Sequence, residues 1–130
     1  MTVAALKPDT LADRRLLVVE DEMFVAMLIE DLLVEEGCTV VGPAASVADA
    51  LKLMDGTRLD GAVLDVNLGS ETVYPVADAL GRAGVPFVFV TGYGAGSLIE
   101  AHRGHPTIAK PFDPSRFADE LVLGLANRPR

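Results

Sequence analysis

The sequence predicts an α/β domain built on a doubly wound, five-stranded parallel sheet. Two observations carry this. Short β-favouring runs recur at residues 16–19, 39–41, 61–64, 85–90 and 107–109, and the longer ones are continuously apolar, as suits strands buried on both faces. Segments with helical period or helix-boundary residues separate them, so strands alternate with helices throughout.

In chain order, residues 1–13 read as a short flexible leader containing Pro8 and Asp9, and the domain as 14–127, with no output domain expected. The first strand ends in three acids, Glu20, Asp21 and Glu22. Residues 23–36 form a helix on their apolar period, with Phe24, Met27, Leu28 and Leu32 on the expected core face and Gly37 as the stop. Ser46 and Asp49 have capping-box spacing and open a second helix, Val47 to about Met54. The third strand ends at Asp65, and Asn67 and Gly69 open a loop. A third helix runs from about Val73 to Ala83, since Pro75 is tolerated in a first turn and Gly84 ends it. The fourth strand ends at Thr91. Gly92, Gly94 and Gly96 then alternate, and Gly104 and Pro106 follow, so a fourth helix is short or fluid and limited to 97–103. The fifth strand leads into Lys110 and Pro111. Asp113 caps a last helix that starts at Pro114 and carries an apolar stripe of Phe117, Leu121 and Leu125 with Ala118 and Val122.

Composition narrows the class. A chain of 130 residues, half of them apolar, suits one domain with a full core. No apolar run is long enough to span a bilayer, and the N-terminus lacks the apolar core of a signal peptide. The single cysteine, Cys38, excludes an internal disulfide and fits a reducing, cytoplasmic setting, where it reads as a buried hydrophobe. A net charge of −8 argues against nucleic acid as a partner. His102 and His105 read as solvated loop residues, because no third metal ligand stands near them in sequence. Tyr74 reads as a surface or packing residue.

The polar residues that end the strands fall on one edge of such a sheet. Glu20 and Asp21 end the first strand, Asp65 the third, Thr91 the fourth and Lys110 the fifth. If the strand order is 2-1-3-4-5, strands one and three are adjacent and flank the point where the order reverses, beside which ligands bind. A carboxylate there serves as a ligand, a nucleophile or a helix cap. Three converging carboxylates repel unless a cation or proton relieves them, and Mg²⁺ suits an all-oxygen set. An ammonium and a hydroxyl suit the oxygens of a phosphoryl group. Asp65 between them would be the nucleophile that takes up phosphate.

In order and spacing, Glu20-Asp21, Asp65, Thr91 and Lys110-Pro111 resemble the receiver domain of two-component response regulators, a flavodoxin-like fold, over about 16–125. The resemblance implies that Asp65 accepts phosphate from a histidine kinase or histidine phosphotransfer protein. It implies that Asp21, Asp65 and the backbone carbonyl of Asn67 bind Mg²⁺, with Glu20 acting through water. Thr91 and Lys110 would hold the phosphoryl oxygens, and the Lys110–Pro111 peptide would be cis. Phe89-Val90-Thr91-Gly92-Tyr93 also looks like the "FAT GUY" subgroup of single-domain receivers in alphaproteobacteria, with one departure at Val90. That subgroup implies stress-response or light-linked pathways. Many receivers carry an aromatic three residues before the lysine, where this chain has Thr107. Tyr93 is the nearby aromatic hydroxyl that could take its switch role, and Asn67 and Tyr93 are expected to border the water that ends the signal.

Three classes compete on the residues alone. The first is a phosphoacceptor signalling protein, with no enzyme activity beyond self-catalysed phosphotransfer and autodephosphorylation. It would act through a downstream target protein or as a phosphate sink. The second is an aspartyl-phosphate phosphohydrolase of haloacid-dehalogenase-like type. That class wants Asp-x-Asp-x-Thr at the first strand, whereas Asp65-Val-Asn-Leu-Gly stands at the third. The third is a module that takes up no phosphate, either a protein binder or a flavodoxin-like cofactor binder. Three acids after the first strand would repel a cofactor phosphate.

Overall fold

The structure, a computed structural model, describes residues 10–93 and 95–126. Five parallel strands form the sheet: β1 (Arg15–Val19), β2 (Thr39–Ala44), β3 (Gly61–Asp65), β6 (Phe87–Thr91) and β7 (Thr107–Ala109). Their order is β2-β1-β3-β6-β7, which is the predicted 2-1-3-4-5 once a small inserted hairpin is counted. That hairpin pairs β4 (Asn67–Leu68) with β5 (Glu71–Thr72) and is absent from the sequence expectation. Two-residue strands carry no period, so only the pairing reveals them.

β3 lies between β1 and β6, with Leu16 opposite Gly61 on one side and Asp65 opposite Val90 on the other. All five of its residues are buried. Edge strand β2 accommodates Pro43, and the Gly42–Pro43 peptide is cis.

Helices α1 (Met23–Glu35), α2 (Val47–Met54), α3 (Tyr74–Arg82) and α4 (Pro114–Ala126) cover the sheet. Two cores result. Leu17, Leu64 and Phe89 pack with Val76 and Leu80 of α3 on one face. Leu16, Val63 and Val88 pack with Ile29 and Leu33 of α1 and Phe117 and Leu121 of α4 on the other. Cys38 lies in this second core, and its thiol donates to the Leu11 carbonyl at 3.3 Å. Burial pushes its pKa up to about 11, the state of an inert thiol.

The capping residues act as expected. The Asp49 N–H donates to Ser46 Oγ at 3.1 Å, and the Ser115 N–H donates to Asp113 Oδ1 at 2.9 Å.

Two expectations change. α1 buries Ala26, Ile29 and Leu33, while Phe24 is 84% exposed and Met27 and Leu28 are exposed. The helix is apolar around most of its surface, so its period fits two faces, and docking on the sheet selects one. The segment after β6 contains two short 3₁₀ turns, Ala95–Ser97 and Glu100–His102, in keeping with the short fourth helix expected there. The leader expected over 1–13 ends sooner, because Leu11 is buried and the Asp13 N–H donates to the Gly37 carbonyl at 3.0 Å. Residues 1–9 and 127 lie outside the described residues.

Gly124 of α4 is set by packing. A Cβ there would stand 2.6 Å from Val88 Cγ2 and 3.3 Å from Pro106 Cβ. Gly124→Ala is expected to destabilise the domain by about 1–3 kcal/mol, because overpacking outweighs the gain in helix propensity. Gly81→Ala on α3, with no atom within 4 Å of the new Cβ, is the control and should stabilise by up to about 1 kcal/mol. Urea denaturation of both variants checks the sign of each.

Candidate functional site

The carboxyl ends of β1, β3, β6 and β7 deliver Glu20, Asp65, Thr91 and Lys110 to one edge of the sheet. The backbone ties these ends together. The Val66 N–H donates to the Val90 carbonyl at 3.2 Å, and the Lys110 N–H donates to the Thr91 carbonyl at 3.0 Å. The Lys110–Pro111 peptide that follows is cis.

Glu20 is 2% exposed and Asp65 6%, whereas Asp21 is exposed at the rim. One carboxylate oxygen from each of the three lies within 4.8 Å of the others. Lys110 Nζ stands 3.0 Å from Glu20 Oε1 and 3.4 Å from Asp65 Oδ2. Glu20 Oε2 accepts the Glu22 N–H at 3.1 Å, while its buried Oε1 makes no hydrogen bond of good geometry and lies 3.0 Å from the Lys110 ammonium.

Burial pushes the Asp65 carboxyl up to about 7, and the adjacent Glu20 adds to the rise. Lys110 opposes it in part, and its own pKa is raised by Glu20 and Asp65 against the pull of burial. Without a further cation the charged form of Asp65 is therefore disfavoured near neutrality. The donor set is all oxygen, clustered, and short of positive charge, so a small hard divalent cation fits these residues.

Asp65, Asn67, Tyr93 and Lys110 line a cleft of about 490 Å³ together with Glu22, Gly69 and Gly92. Gly69 has φ 71°, and a Cβ there would stand 3.8 Å from Asp21 Oδ2, so the turn after β4 passes close to the rim carboxylate. Thr91 is buried, and its Oγ1 accepts the Tyr93 N–H at 3.1 Å. The Tyr93 side chain is 78% exposed, so its ring stands in solvent at the cleft mouth. Thr107 is half-buried at the start of β7 and lies outside the cleft lining.

Glu22 is a residue of the cleft to which the sequence assigned no role. Its Oε1 lies 4.0 Å from Lys110 Nζ. The signal was present in the run of three acids, but only the turn into α1 aims the third one at the cleft.

The two histidines also depart from expectation. His102 is 5% exposed and His105 half-buried, because Tyr74, Phe87 and Phe89 form an aromatic floor beneath them. The sequence separates these rings widely, so the floor exists only in the folded chain.

Comparisons with known proteins agree with this fold. The family model described as response regulator receiver domain matches residues 16–122. The phyllosphere-induced regulator PhyR of Methylorubrum extorquens is 34% identical over 115 residues, covering 85% of this chain and 43% of PhyR. The solution structure of SdrG from Sphingomonas melonis is 38% identical with a TM-score of 0.75, covering 89% of this chain and 98% of that one. The crystal structure of PhyR from Brucella abortus is 26% identical with a TM-score of 0.77, covering 91% of this chain and 50% of that one. The chain thus spans about half the length of these PhyR proteins. Among the described residues no helix is long and apolar enough to cross a membrane.

Proposed function

Because the chain belongs to the response regulator receiver family, we propose that Asp65 accepts a phosphoryl group from a histidine kinase or histidine phosphotransfer protein in a Mg²⁺-dependent reaction. The observation that carries this reading is the clustering of Glu20, Asp21 and Asp65 beside Lys110 at the open end of a buried strand.

In this reaction an Asp65 carboxylate oxygen attacks phosphorus. The phosphorus–nitrogen bond of the donor phosphohistidine breaks, and the leaving imidazole takes a proton. Lys110 and the Thr91 hydroxyl hold the phosphoryl oxygens as negative charge shifts onto them. Asp21, Asp65 and the Asn67 carbonyl would hold Mg²⁺, with Glu20 acting through water, and the ion supplies charge neutralisation for both carboxylate and phosphoryl group. The side chains of Asn67 and Tyr93 border the water that hydrolyses the acyl phosphate. The chemistry is self-catalysed and leaves the protein a signalling component, not an enzyme acting on other substrates.

PhyR is described as a stress response regulator, and we place this chain in the same kind of cytoplasmic pathway. Its output is contact with a target protein, or drainage of phosphate from a shared kinase.

Offered a small phosphodonor such as acetyl phosphate with Mg²⁺, the protein is expected to gain one acid-stable, base-labile label. Excess EDTA should remove nearly all of it. Full labelling in EDTA would overturn the metal-dependent mechanism. Turnover of small phosphate esters without a stable acceptor would instead favour a phosphohydrolase.

A further inference from the structure

The segment between β6 and β7 is poor in structure of its own. It carries Gly92, Gly94, Gly96 and Gly104 and two 3₁₀ turns, and such turns have weak internal hydrogen bonding. Two of its side chains reach the interior, Leu98 at 1% exposure and His102 at 5%.

His102 is held on three sides. Its ring stacks on Tyr74, with centroids 5.1 Å apart and planes 7° from parallel. Phe89 of β6 meets it edge-on at 5.7 Å. Its Nε2 lies 2.9 Å from Asp78 Oδ1, one turn along α3 from Tyr74. Tyr74 makes a second attachment, since its hydroxyl accepts the Ile99 N–H at 3.2 Å. His105 then stacks on Phe87 at 4.5 Å.

We propose that Tyr74, Asp78 and His102 form a latch that holds residues 98–105 against α3 in the unphosphorylated protein, and that phosphorylation acts against this latch. The second half of the proposal rests on Asp65 as the phosphoacceptor.

Both ends of the latch connect to the cleft. From Asp65 the chain passes through Val66, whose carbonyl accepts the Val73 N–H at 2.9 Å, and Tyr74 follows as the first residue of α3. From the other side, Thr91 Oγ1 accepts the Tyr93 N–H at the start of the segment. A hydroxyl turned towards a phosphoryl group alters that contact and shifts the entry of the segment that His102 anchors. Thr107 at the start of β7 offers no ring to answer a change at Asp65 or Thr91. The rings that respond are instead already packed, on α3 and within the segment itself. A displacement at Asp65 or Thr91 is therefore read as a change in the population of latched and released states.

Three variants test this: Tyr74→Phe removes the hydroxyl acceptor but keeps the ring, Asp78→Asn removes the charge, and His102→Ala removes the stacked ring. Hydrogen exchange is first measured on unphosphorylated protein. His102→Ala is expected to speed exchange across 98–105 by about tenfold or more, and the two conservative variants by smaller factors, while β1 and β3 stay as protected as in the wild type. Unchanged exchange in 98–105 for all three would overturn the latch, whatever the phosphorylation chemistry. The second measurement compares NMR shift changes on adding Mg²⁺ and a beryllofluoride phosphoryl mimic. The wild-type segment should respond strongly, and the His102→Ala segment, already released, by less than half as much. An equal response would overturn the coupling and leave the latch to the exchange result. If neither the wild type nor its variants bind the mimic while Asp65 is intact, the phosphoacceptor reading fails, and the coupling with it.

Discussion

Asp65→Asn is expected to abolish phosphoryl acceptance while making the metal-free domain more stable. Two properties of one carboxylate produce these opposite effects. The amide keeps the shape of the side chain but offers no anionic oxygen to attack phosphorus, so labelling should fall by about a thousandfold or more, to background. Stability follows from the raised pKa. Asp65 titrates near 7 in the fold, above the ordinary 3.8, because burial and Glu20 disfavour its charge. The folded state therefore binds a proton more tightly than the unfolded chain. As pH rises from about 4 to about 7, the wild type loses stability, and above 7 the loss is complete. Asparagine cannot titrate, so this pH dependence should largely vanish. Above pH 7 the metal-free variant should be more stable by roughly 2 kcal/mol. Saturating Mg²⁺ should narrow the gap, because the ion stabilises the wild type and binds the variant less well. Urea titrations at pH 5 and pH 8, with EDTA and with Mg²⁺, check each sign. A variant less stable than the wild type at pH 8 in EDTA would show that the Asp65 charge is fully compensated by Lys110. Undiminished labelling would remove Asp65 from its role.

Lys110→Ala should have the second largest effect, and here catalysis and stability fall together. Lys110 is the cation paired with both Glu20 and Asp65 among the described residues. Removing one partner from a buried ion pair leaves the other charge uncompensated, which costs about 3–5 kcal/mol. The loss should be largest above pH 7 and shrink towards pH 4, as Asp65 takes up its proton and no longer needs a partner. Labelling at saturating Mg²⁺ should fall by roughly a hundredfold, since a preorganised positive charge no longer meets the developing negative charge on the transferring group. Lys110→Arg keeps the charge but replaces a compact ammonium by a planar fork, so it should restore stability better than labelling rate. Equal labelling by wild type and Lys110→Ala would place the essential positive charge elsewhere, while equal stability at pH 8 would show that solvent already screens the pair.

Much of this was legible in the residues. The parallel sheet followed from five β-favouring runs alternating with helices, because continuous apolar character marks strands covered on both faces. Glu20, Asp65, Thr91 and Lys110 could be placed together from sequence because each stands at a strand's carboxyl end, and parallel strands put all such ends on one edge. Ser46 and Asp113 announced their helices because capping depends on groups two or three residues apart.

What the tertiary structure decided shares one physical feature: it depends on contacts between residues far apart in the chain. The burying face of α1 is an example. Phe24, Met27 and Leu28 are as apolar as Ile29 and Leu33, and only docking against the sheet and α4 leaves the first three in solvent. The depth of Glu20, the raised pKa of Asp65 and the approach of Glu22 to Lys110 likewise arise when separate strand ends meet. The sequence alone thus determined the architecture and the chemistry available at the sheet edge. Only the tertiary structure decided that His102 packs between Tyr74 and Phe89, since local composition made that segment a solvated, glycine-rich loop and the aromatic floor beneath it comes from other elements.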